Sequence, residues 1–320
     1  MLNIHSALAT PTMLDGQTAS EVRLDLTAYI VGPSETELEF LLSMYDKICP
    51  ANHRTLYIES ALELWTEINR PVLTLSGQQA AAAGIPRPYF EPERKRLREG
   101  RKFLVGLSDE QKVNDPDDGW SFRCASIHRR ATGLHSVVRI VIPLNKDCNI
   151  IRDAACAIAD NVEIRSGHGG LVFTYDPWLM SGALDLIYAQ ARRFWGIEVE
   201  EIVETLPLMK QAIKSVNWIT MVGCQFASEP KIRESLADLA KVPHVTIDQR
   251  KHATVLIAGP QPVQGDQHRP DHSLDPYYAV AKALEPLFLT AHPDFSSERW
   301  VKNGNTVGWI RRFLDPVGWR

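Results

Sequence analysis

The sequence predicts an α+β protein, with a mixed or antiparallel sheet and flanking helices. Alternating strand patterns and amphipathic helix patterns both occur along the 320 residues. They do not follow the regular strand–helix–strand repeat of a doubly wound, Rossmann-type sheet. Apolar residues make up 44% of the chain and charged residues 23%, which is typical of a globular protein with a large core.

The first clear elements are a strand and a helix. Apolar and polar residues alternate over 22–30, which predicts a half-buried strand that ends at Gly32-Pro33. Ser34 and Glu37 have the spacing of a capping box, so a helix begins there. The apolar face of this helix is predicted to consist of Leu38, Leu41, Leu42, Tyr45 and Ile48.

The middle of the chain contains two further helix patterns and a segment rich in Pro, Arg and Glu that we interpret as an exposed loop. These segments are 61–68, 78–83 and 85–100, in that order. Three strands are predicted next, and an acidic loop at 114–119 links the first two. The strands are 102–107, 120–127 and 136–142.

The second half again mixes helices and strands. Ser166–Gly170 is interpreted as a tight turn before a short strand at 171–174, and Ser228 and Asp275 are predicted to cap helices. A Trp-rich tail at 300–320 is expected to pack. The remaining predictions are helices at 151–162 and 178–193, a strand at 215–223 and a hairpin of 244–248 with 253–258.

The best candidate boundary lies at residues 143–149. It would divide the chain into an N-terminal α+β half, 1–145, and a C-terminal α+β half, 146–320. One continuous domain is the alternative.

The charge of the chain argues against a nucleic-acid-binding module. The net charge is −4, whereas binding to phosphates normally requires a basic face. The one basic cluster, Arg94–Lys102, is interrupted by Glu99. Salt-dependent DNA binding would revive this interpretation.

The N-terminus lacks the features of a signal peptide, and no stretch has the length of apolar chain that a membrane helix needs. Five cysteines without a CxxC spacing fit reduced thiols. We therefore expect a cytoplasmic protein without a membrane partner.

The segment Ser166-Gly167-His168-Gly169-Gly170 is the main candidate for chemistry. Glycine-rich loops can bind anions through backbone N–H groups, but this one matches neither the Walker nor the GxGxxG pattern. A hydrolase or transferase that uses this loop and His168 is the alternative function. The simpler interpretation is a structural turn.

Two other sets of residues suit chemistry only if the fold brings them together. The first would form a thiol–imidazole pair and the second a metal site. The first set is Cys124, Cys156 and Cys224 with His128, His135 and His168; the second is Asp266, His268, Asp271 and His272. Inert thiols and an ordinary polar loop explain these residues more simply, so neither a metal nor a cofactor is predicted.

Two acidic runs are candidates for contact with a basic protein partner, although a solvated face explains them equally well. They are Asp115, Asp117 and Asp118, and Glu198, Glu200, Glu201 and Glu204.

Several pieces of the second half together resemble a known family. They are Ser166–Phe173, Ala191–Ile197, Val216–Gly223, Tyr277–Leu287 and Glu298–Trp300. In order and approximate spacing they resemble the type VI secretion immunity family, and the resemblance covers most of residues 130–315.

The resemblance implies a non-enzymatic protein that binds a cognate secreted toxin, often a restriction-enzyme-like DNase, and blocks it in a stoichiometric complex. It carries no catalytic residue and leaves a homo-oligomer open. The motif residues are expected to be fold determinants: Ser166, Gly167, His168, Gly170, Leu171, Asn217, Trp218 and Gly223.

Overall fold

The structure is a computed structural model that describes residues 2, 4–50, 56–59, 73–76, 91–108, 119–129, 133–175, 180–269 and 274–319. In these residues helices and strands are mixed around one large, mainly antiparallel sheet. The predicted α+β class with flanking helices is therefore confirmed. The predicted helices at 61–68 and 78–83 and the acidic residues at 115–118 lie outside the described residues.

The strands are numbered along the chain. They are β1 Thr12–Leu14, β2 Gln17–Ile30, β3 Leu56–Glu59, β4 Leu73–Ser76, β5 Phe103–Ser108, β6 Ser121–Arg129, β7 Gly133–Ile142, β8 Ile164–Tyr175, β9 Glu198–Val199, β10 Ile219–Gly223, β11 Val245–Gln249 and β12 Ala253–Ala258. Their order in the sheet is β11-β12-β10-β8-β2-β7-β6-β5-β3-β4. β1 pairs with β2, and β9 runs parallel to β8.

The described α-helices are numbered in the same way. They are α1 Ser6–Ala9, α2 Glu35–Ile48, α3 Glu91–Arg98, α4 Asn149–Asn161, α5 Met180–Ala191, α6 Ile202–Thr205, α7 Cys224–Ala227, α8 Pro230–Leu239, α9 Asp275–Leu284, α10 Glu298–Val301, α11 Asn305–Ile310 and α12 Pro316–Trp319. A short 3-10 helix, Leu206–Lys210, follows α6.

The two faces of β2 have different chemistry because side chains alternate along a strand. Leu24, Leu26 and Ala28 are fully buried. Leu26 pairs with Gly169 of β8, a position that lies against Ile151 of α4, so the apolar face packs on this helix. The opposite face of β2 carries polar side chains, and most of them are also buried.

The predicted start of α2 is confirmed. The Ser34 hydroxyl accepts a hydrogen bond from the Glu37 backbone N–H, and the Glu37 carboxylate accepts one from the Ser34 N–H. Leu38, Leu41, Leu42 and Tyr45 are buried, as the periodicity predicts.

The predicted strands at 102–107, 120–127 and 136–142 are present as β5, β6 and β7. The interpretation of 85–100 as loop is wrong for its second part, where α3 forms. Pro92 occupies the first turn, where a helix tolerates proline. Arg94 and Arg98 pair with Glu39 and Glu35 of α2, a long-range stabilisation that local sequence does not reveal.

The predicted tight turn at Ser166–Gly170 is also wrong, because this segment lies inside β8. The glycines serve close strand packing instead of chain reversal. A Cβ on Gly167 would lie 2.8 Å from the Thr27 carbonyl oxygen. Gly170 has a φ of +147°, and a Cβ there would lie 2.6 Å from Asn217 Oδ1, so both positions favour glycine.

Three boundaries differ from the predictions. Ser228 ends α7 instead of capping α8, which begins after Glu229 with Pro230 at its first position. Asp275 is the first residue of α9, and Leu274 is its N-cap. The predicted strand at 215–223 begins only at Ile219. The helix at 151–162 and the hairpin of 244–248 with 253–258 are confirmed as α4 and β11–β12, and the helix at 178–193 is confirmed as α5 from Met180 onward, since residues 178 and 179 lie outside the described residues.

The Trp-rich tail is packed, as predicted. Trp300 stacks on Trp319 with ring centroids 5.9 Å apart, and Trp309 lies edge-on to Trp319 at 5.4 Å. Arg192 donates a hydrogen bond to the Trp319 carbonyl. The C-terminus thereby becomes part of the core of the second half.

The two halves of the chain share the sheet. β2 pairs with β7 on one side and with β8, from beyond residue 145, on the other. The division at residue 145 stays a prediction.

A buried charge cluster as the candidate functional site

The polar face of β2 and the neighbouring β8 form the base of a buried cluster of charged side chains. Thr27 pairs directly with His168, and Tyr29 pairs with Ser166, so these side chains point to the same side. β9 runs beside β8 with Val172 opposite Glu198. The carboxylates on this face are therefore positioned by short elements such as β9, and not by long helices.

Glu200 lies at the centre of the cluster. Its Oε2 lies 2.6 Å from His168 Nε2, and its Oε1 accepts a hydrogen bond of 3.0 Å from the Tyr29 hydroxyl. Lys214 Nζ lies 3.4 Å from the same Oε2. His168 and Glu200 are 2% and 3% exposed, so water does not screen these contacts.

Glu198 forms the second half of the cluster. Lys214 Nζ lies 3.3 Å from its Oε1, and Arg312 Nη2 lies 3.2 Å from its Oε2. Ser215 donates a hydrogen bond of 2.7 Å to Oε2. Lys214 thus bridges both glutamates, and Arg312 ties the C-terminal segment to them.

Both cations are also held by backbone carbonyls. Lys214 Nζ donates to the Val199 oxygen at 2.6 Å. Arg312 donates through Nε to Trp195 at 2.7 Å and through Nη1 to Trp309 at 3.0 Å. These bonds offset part of the cost of removing two charged groups from water.

A second ion pair extends the cluster along the sheet. Arg139 of β7 lies 2.5 Å from Asp25 Oδ2, and the Thr27 hydroxyl donates to Asp25 Oδ1 at 3.0 Å. Asp25 is 1% exposed. Asp25 therefore bonds both within β2 and to the neighbouring strand β7.

The cations determine the ionisation of the two glutamates. Burial alone would raise the pKa of Glu198, but Lys214, Arg312 and His168 outweigh it and lower that pKa to about 2. Burial would also raise the pKa of Glu200, but Lys214 and His168 outweigh it, and this pKa lies well below the ordinary value of a glutamate. Both carboxylates are ionised at neutral pH.

Glu201 behaves in the opposite way. Burial raises its pKa to about 7, and the charges of Glu204 and Glu200 add to this, although the Glu204 N–H donates to its carboxylate. Glu201 is 4% exposed. Its side chain contributes the cap at the start of α6.

His168 beside a carboxylate is an arrangement that general acid–base catalysis can use. Here, however, Glu200 is held by Tyr29, Lys214 and His168 together. Each of these side chains is buried. The arrangement favours a structural role over contact with a substrate.

The three thiols considered for a thiol–imidazole pair have the following surroundings. Cys124 is buried, and burial raises the pKa of its thiol well above the ordinary value. The Cys156 thiol donates to Asp248, and the Cys224 thiol donates to the Lys251 carbonyl. His168 bonds to Glu200 instead. The side chain of His128 lies outside the described set.

The residues considered for a metal site at 266–272 are only partly described. Asp266 is held by Arg193 through two hydrogen bonds of 2.8 and 2.7 Å and accepts a third from the His268 backbone N–H. Asp271 and His272 lie outside the described residues. Within the described part of the chain no group of three His, Cys, Asp or Glu side chains is arranged to hold a metal ion.

The expectation of an exposed acidic run after residue 197 is wrong for three of its four members. Glu198, Glu200 and Glu201 are buried, and only Glu204 is partly exposed. The run of glutamates in the sequence indicated a solvated face. In the fold, cationic side chains from other segments of the chain neutralise these carboxylates inside the protein. Asp115, Asp117 and Asp118 lie outside the described residues.

The remaining motif residues contact the chain itself. Ser166 donates to the Met209 sulfur at 3.6 Å. Asn217 donates to the Leu171 carbonyl at 3.2 Å and accepts from the Trp218 N–H at 2.7 Å. Trp218 and Leu171 are fully buried, as predicted. Gly223 lies tightly against the Ile164 carbonyl.

Sequence reasoning does not identify Tyr29, Lys214 or Arg312, although all three bond to the buried glutamates. Asp25 is missed for a related reason, because it occupies a polar position in the alternation of β2. The only available signal is a charged residue inside an otherwise apolar segment, as for Lys214 between Ile213 and Val216.

Among the described residues, no helix combines the length and the apolar character required to cross a membrane.

Comparison with known proteins gives one family and one related fold. The chain resembles the solved structure of the Pseudomonas aeruginosa T6SS protein PA0821, with a TM-score of 0.70 and 16% identity over 98% of this chain and 87% of that one. This likeness supports the fold. No curated protein matches the chain. A family model named TsiV, described as type VI immunity for VRR-NUC, matches residues 58–313. The match includes all the described motif residues as well as Glu198, Glu200 and Lys214, and the chain belongs to the TsiV family of type VI immunity proteins.

Proposed function

We propose that this protein neutralises a VRR-NUC nuclease toxin of the type VI secretion system by binding it in a stoichiometric complex. The observation that carries the proposal is the family match over residues 58–313. The shared fold with a T6SS protein supports the same setting.

The buried cluster supports inhibition by binding instead of by catalysis. The residues with the strongest resemblance to catalytic groups, His168 and Glu200, bond to each other and to internal partners. A substrate would have to open the sheet to reach them. Such an opening would leave the charge of Lys214 or Glu200 unpaired, which is costly inside a protein.

We favour steric obstruction of the nuclease with local charge pairing as the mechanism. The modest net charge of −4 fits this better than extensive mimicry of DNA. Of the acidic residues first considered for contact, Asp115, Asp117, Asp118 and the partly exposed Glu204 stay candidates. Tight binding also needs a buried aromatic or arginine anchor at the interface.

The cytoplasm is the proposed site of action, because that is where an incoming nuclease meets bacterial DNA. In this view the cognate toxin is the main partner. Nucleic acid, metal ions and cofactors take no part in the inhibition.

Co-expression with the cognate VRR-NUC toxin tests the proposal. We expect the two proteins to elute together in size-exclusion chromatography, with DNA cleavage suppressed in the mixture. Separate elution with undiminished cleavage would contradict the proposal.

A matched pair of variants separates inhibition from the alternative hydrolase or transferase function. Under the proposed function, His168→Ala lowers stability, and inhibition persists at temperatures where the variant is folded. Lys231→Ala on the exposed face of α8 is the control. Loss of a measurable turnover in folded His168→Ala would favour the enzyme.

A further inference from the structure

The segment Arg94–Lys102 concentrates positive charge in an acidic protein. It contains six basic residues and one acidic residue, a net charge of +5, so the rest of the chain carries −9 within the total of −4. Neither the buried cluster nor the family motifs include this segment. Its first five residues end α3, and its last two precede β5.

Part of this charge has a structural role. Arg94 and Arg98 lie one helical turn apart and pair with Glu39 and Glu35, which clamps α3 onto α2. Leu97 packs against the core from the same helix. These contacts hold the segment in a defined position beside the sheet.

Three of the other four cations are exposed. Lys95 and Lys102 are exposed. Arg101 is 64% exposed and pairs with its neighbour Glu99 at 3.1 Å. Exposed pairs of this kind contribute little to stability. Their charges therefore stay available to a partner at low cost in desolvation.

We propose that Lys95, Arg101 and Lys102, named here the basic ledge, dock an acidic patch on the toxin protein. The inference rests on the proposed function and deepens it. A compact patch of opposite charge would steer the toxin toward the ledge and fix its orientation, which mainly raises the association rate.

A protein patch fits the ledge better than nucleic acid does. The eight residues of α3 span about 12 Å. Duplex DNA carries one negative charge per roughly 1.7 Å of its axis, and it continues beyond the length of α3. Beyond the ledge it would meet a chain of net charge −9, whereas a carboxylate patch on a folded protein ends where the ledge ends.

Charge reversal tests the proposal with the full chain and the cognate VRR-NUC toxin, inactivated by substitution of a catalytic carboxylate. Lys95→Glu/Lys102→Glu is compared with Lys231→Glu/Lys241→Glu, of which Lys231 lies on α8 and Lys241 just after it. The control removes the same charge from two exposed lysines elsewhere. Equal midpoints of thermal unfolding establish that both variants are folded.

At low salt we expect the association rate constant to fall about tenfold for the ledge variant and less than twofold for the control. At high salt the difference should disappear. If both variants associate more slowly by the same factor, or if neither is slowed, the proposed role of the basic ledge is wrong, while the proposed function stands. Absence of wild-type binding would overturn both. Salt-dependent binding of a DNA duplex that only the ledge variant loses, with toxin association unchanged, would assign the ledge to nucleic acid.

Discussion

At the scale of single residues, Lys214 is the group on which the buried cluster depends most. It is fully buried and lies within 3.4 Å of carboxylate oxygens of both Glu198 and Glu200. Without its charge the two glutamates would depend on Arg312, His168 and Arg139 for compensation.

We therefore predict that Lys214→Met lowers the free energy of unfolding by about 3–5 kcal/mol, the usual cost of leaving buried charges unpaired. Urea unfolding measures the change. Lys231→Met, at an exposed position of α8, should change stability by less than about 0.5 kcal/mol. Equal stability of the two variants would show that the cluster contributes nothing at neutral pH.

Glu201 predicts a specific dependence of stability on pH. Its pKa is raised by burial from 4.5 to about 7. A carboxyl group with a raised pKa stabilises the fold below its unfolded pKa, and that contribution is lost as pH rises through the folded value. The loss should fall between about pH 4.5 and 7 and amount to roughly 3 kcal/mol.

Glu201→Gln should remove this dependence, because the amide oxygen can still accept the Glu204 N–H without carrying charge. Denaturant unfolding at several pH values checks the expectation. The more exposed Glu204→Gln serves as control and should keep the wild-type slope. A pH dependence of stability that is the same in wild type and in Glu201→Gln would contradict the assignment.

At the scale of elements, β8 shows how a motif can be recognised and its structure still misjudged. Glycines at 167, 169 and 170 indicate a turn when they are considered alone. In the fold they allow β8 to lie closely between β2 and β10. The strand identity comes from pairing with distant residues, which local composition does not contain.

Gly170→Ala should therefore be strongly destabilising, with a loss of about 1–3 kcal/mol. The added methyl group meets Asn217 Oδ1, and the φ of +147° disfavours any side chain. Gly308→Ala is the matched control. Gly308 lies within the helix α11, and the atom nearest to a Cβ added there would be a carbon of Trp319 at 3.5 Å. Thermal unfolding should show no loss there, and a similar loss at both positions would contradict this account.

Elements with strong local signals were predictable. The capping box places the start of α2 correctly, alternation identifies β2, and the predicted strands β5, β6 and β7 are present. α3 was missed because its stability depends on Glu35 and Glu39, more than fifty residues earlier in the chain. Ser228 was misassigned because Pro230 starts the helix two residues later.

At the scale of the whole molecule, the sheet and the buried cluster connect distant parts of the chain. Tyr29 from the first half and Arg312 from the C-terminal segment bond to the glutamates that flank Val199. These contacts exist only in the complete fold. The sequence therefore identifies Ser166–Gly170 as a notable segment but does not identify the residues that bond to it.

This connectivity predicts that the described parts of both halves unfold together. Hydrogen exchange in β7 and in β10 should report the same free energy of global opening. Arg312→Met should lower both values by a similar amount, although Arg312 lies in the second half. Opening of β10 at a clearly lower free energy than β7 would instead support separate units divided near residue 145.

The central claim is that this TsiV-family chain inhibits by occupying its toxin one for one, and a titration tests it most directly. A fixed amount of the VRR-NUC protein is mixed with increasing amounts of this chain, and the initial rate of DNA cleavage is measured. We predict a linear fall in rate that ends sharply at a fixed molar ratio, together with a complex of that stoichiometry by native mass spectrometry. Complete loss of cleavage at a small fraction of that ratio would indicate catalytic inactivation and contradict the claim, as would cleavage that persists in excess of this chain.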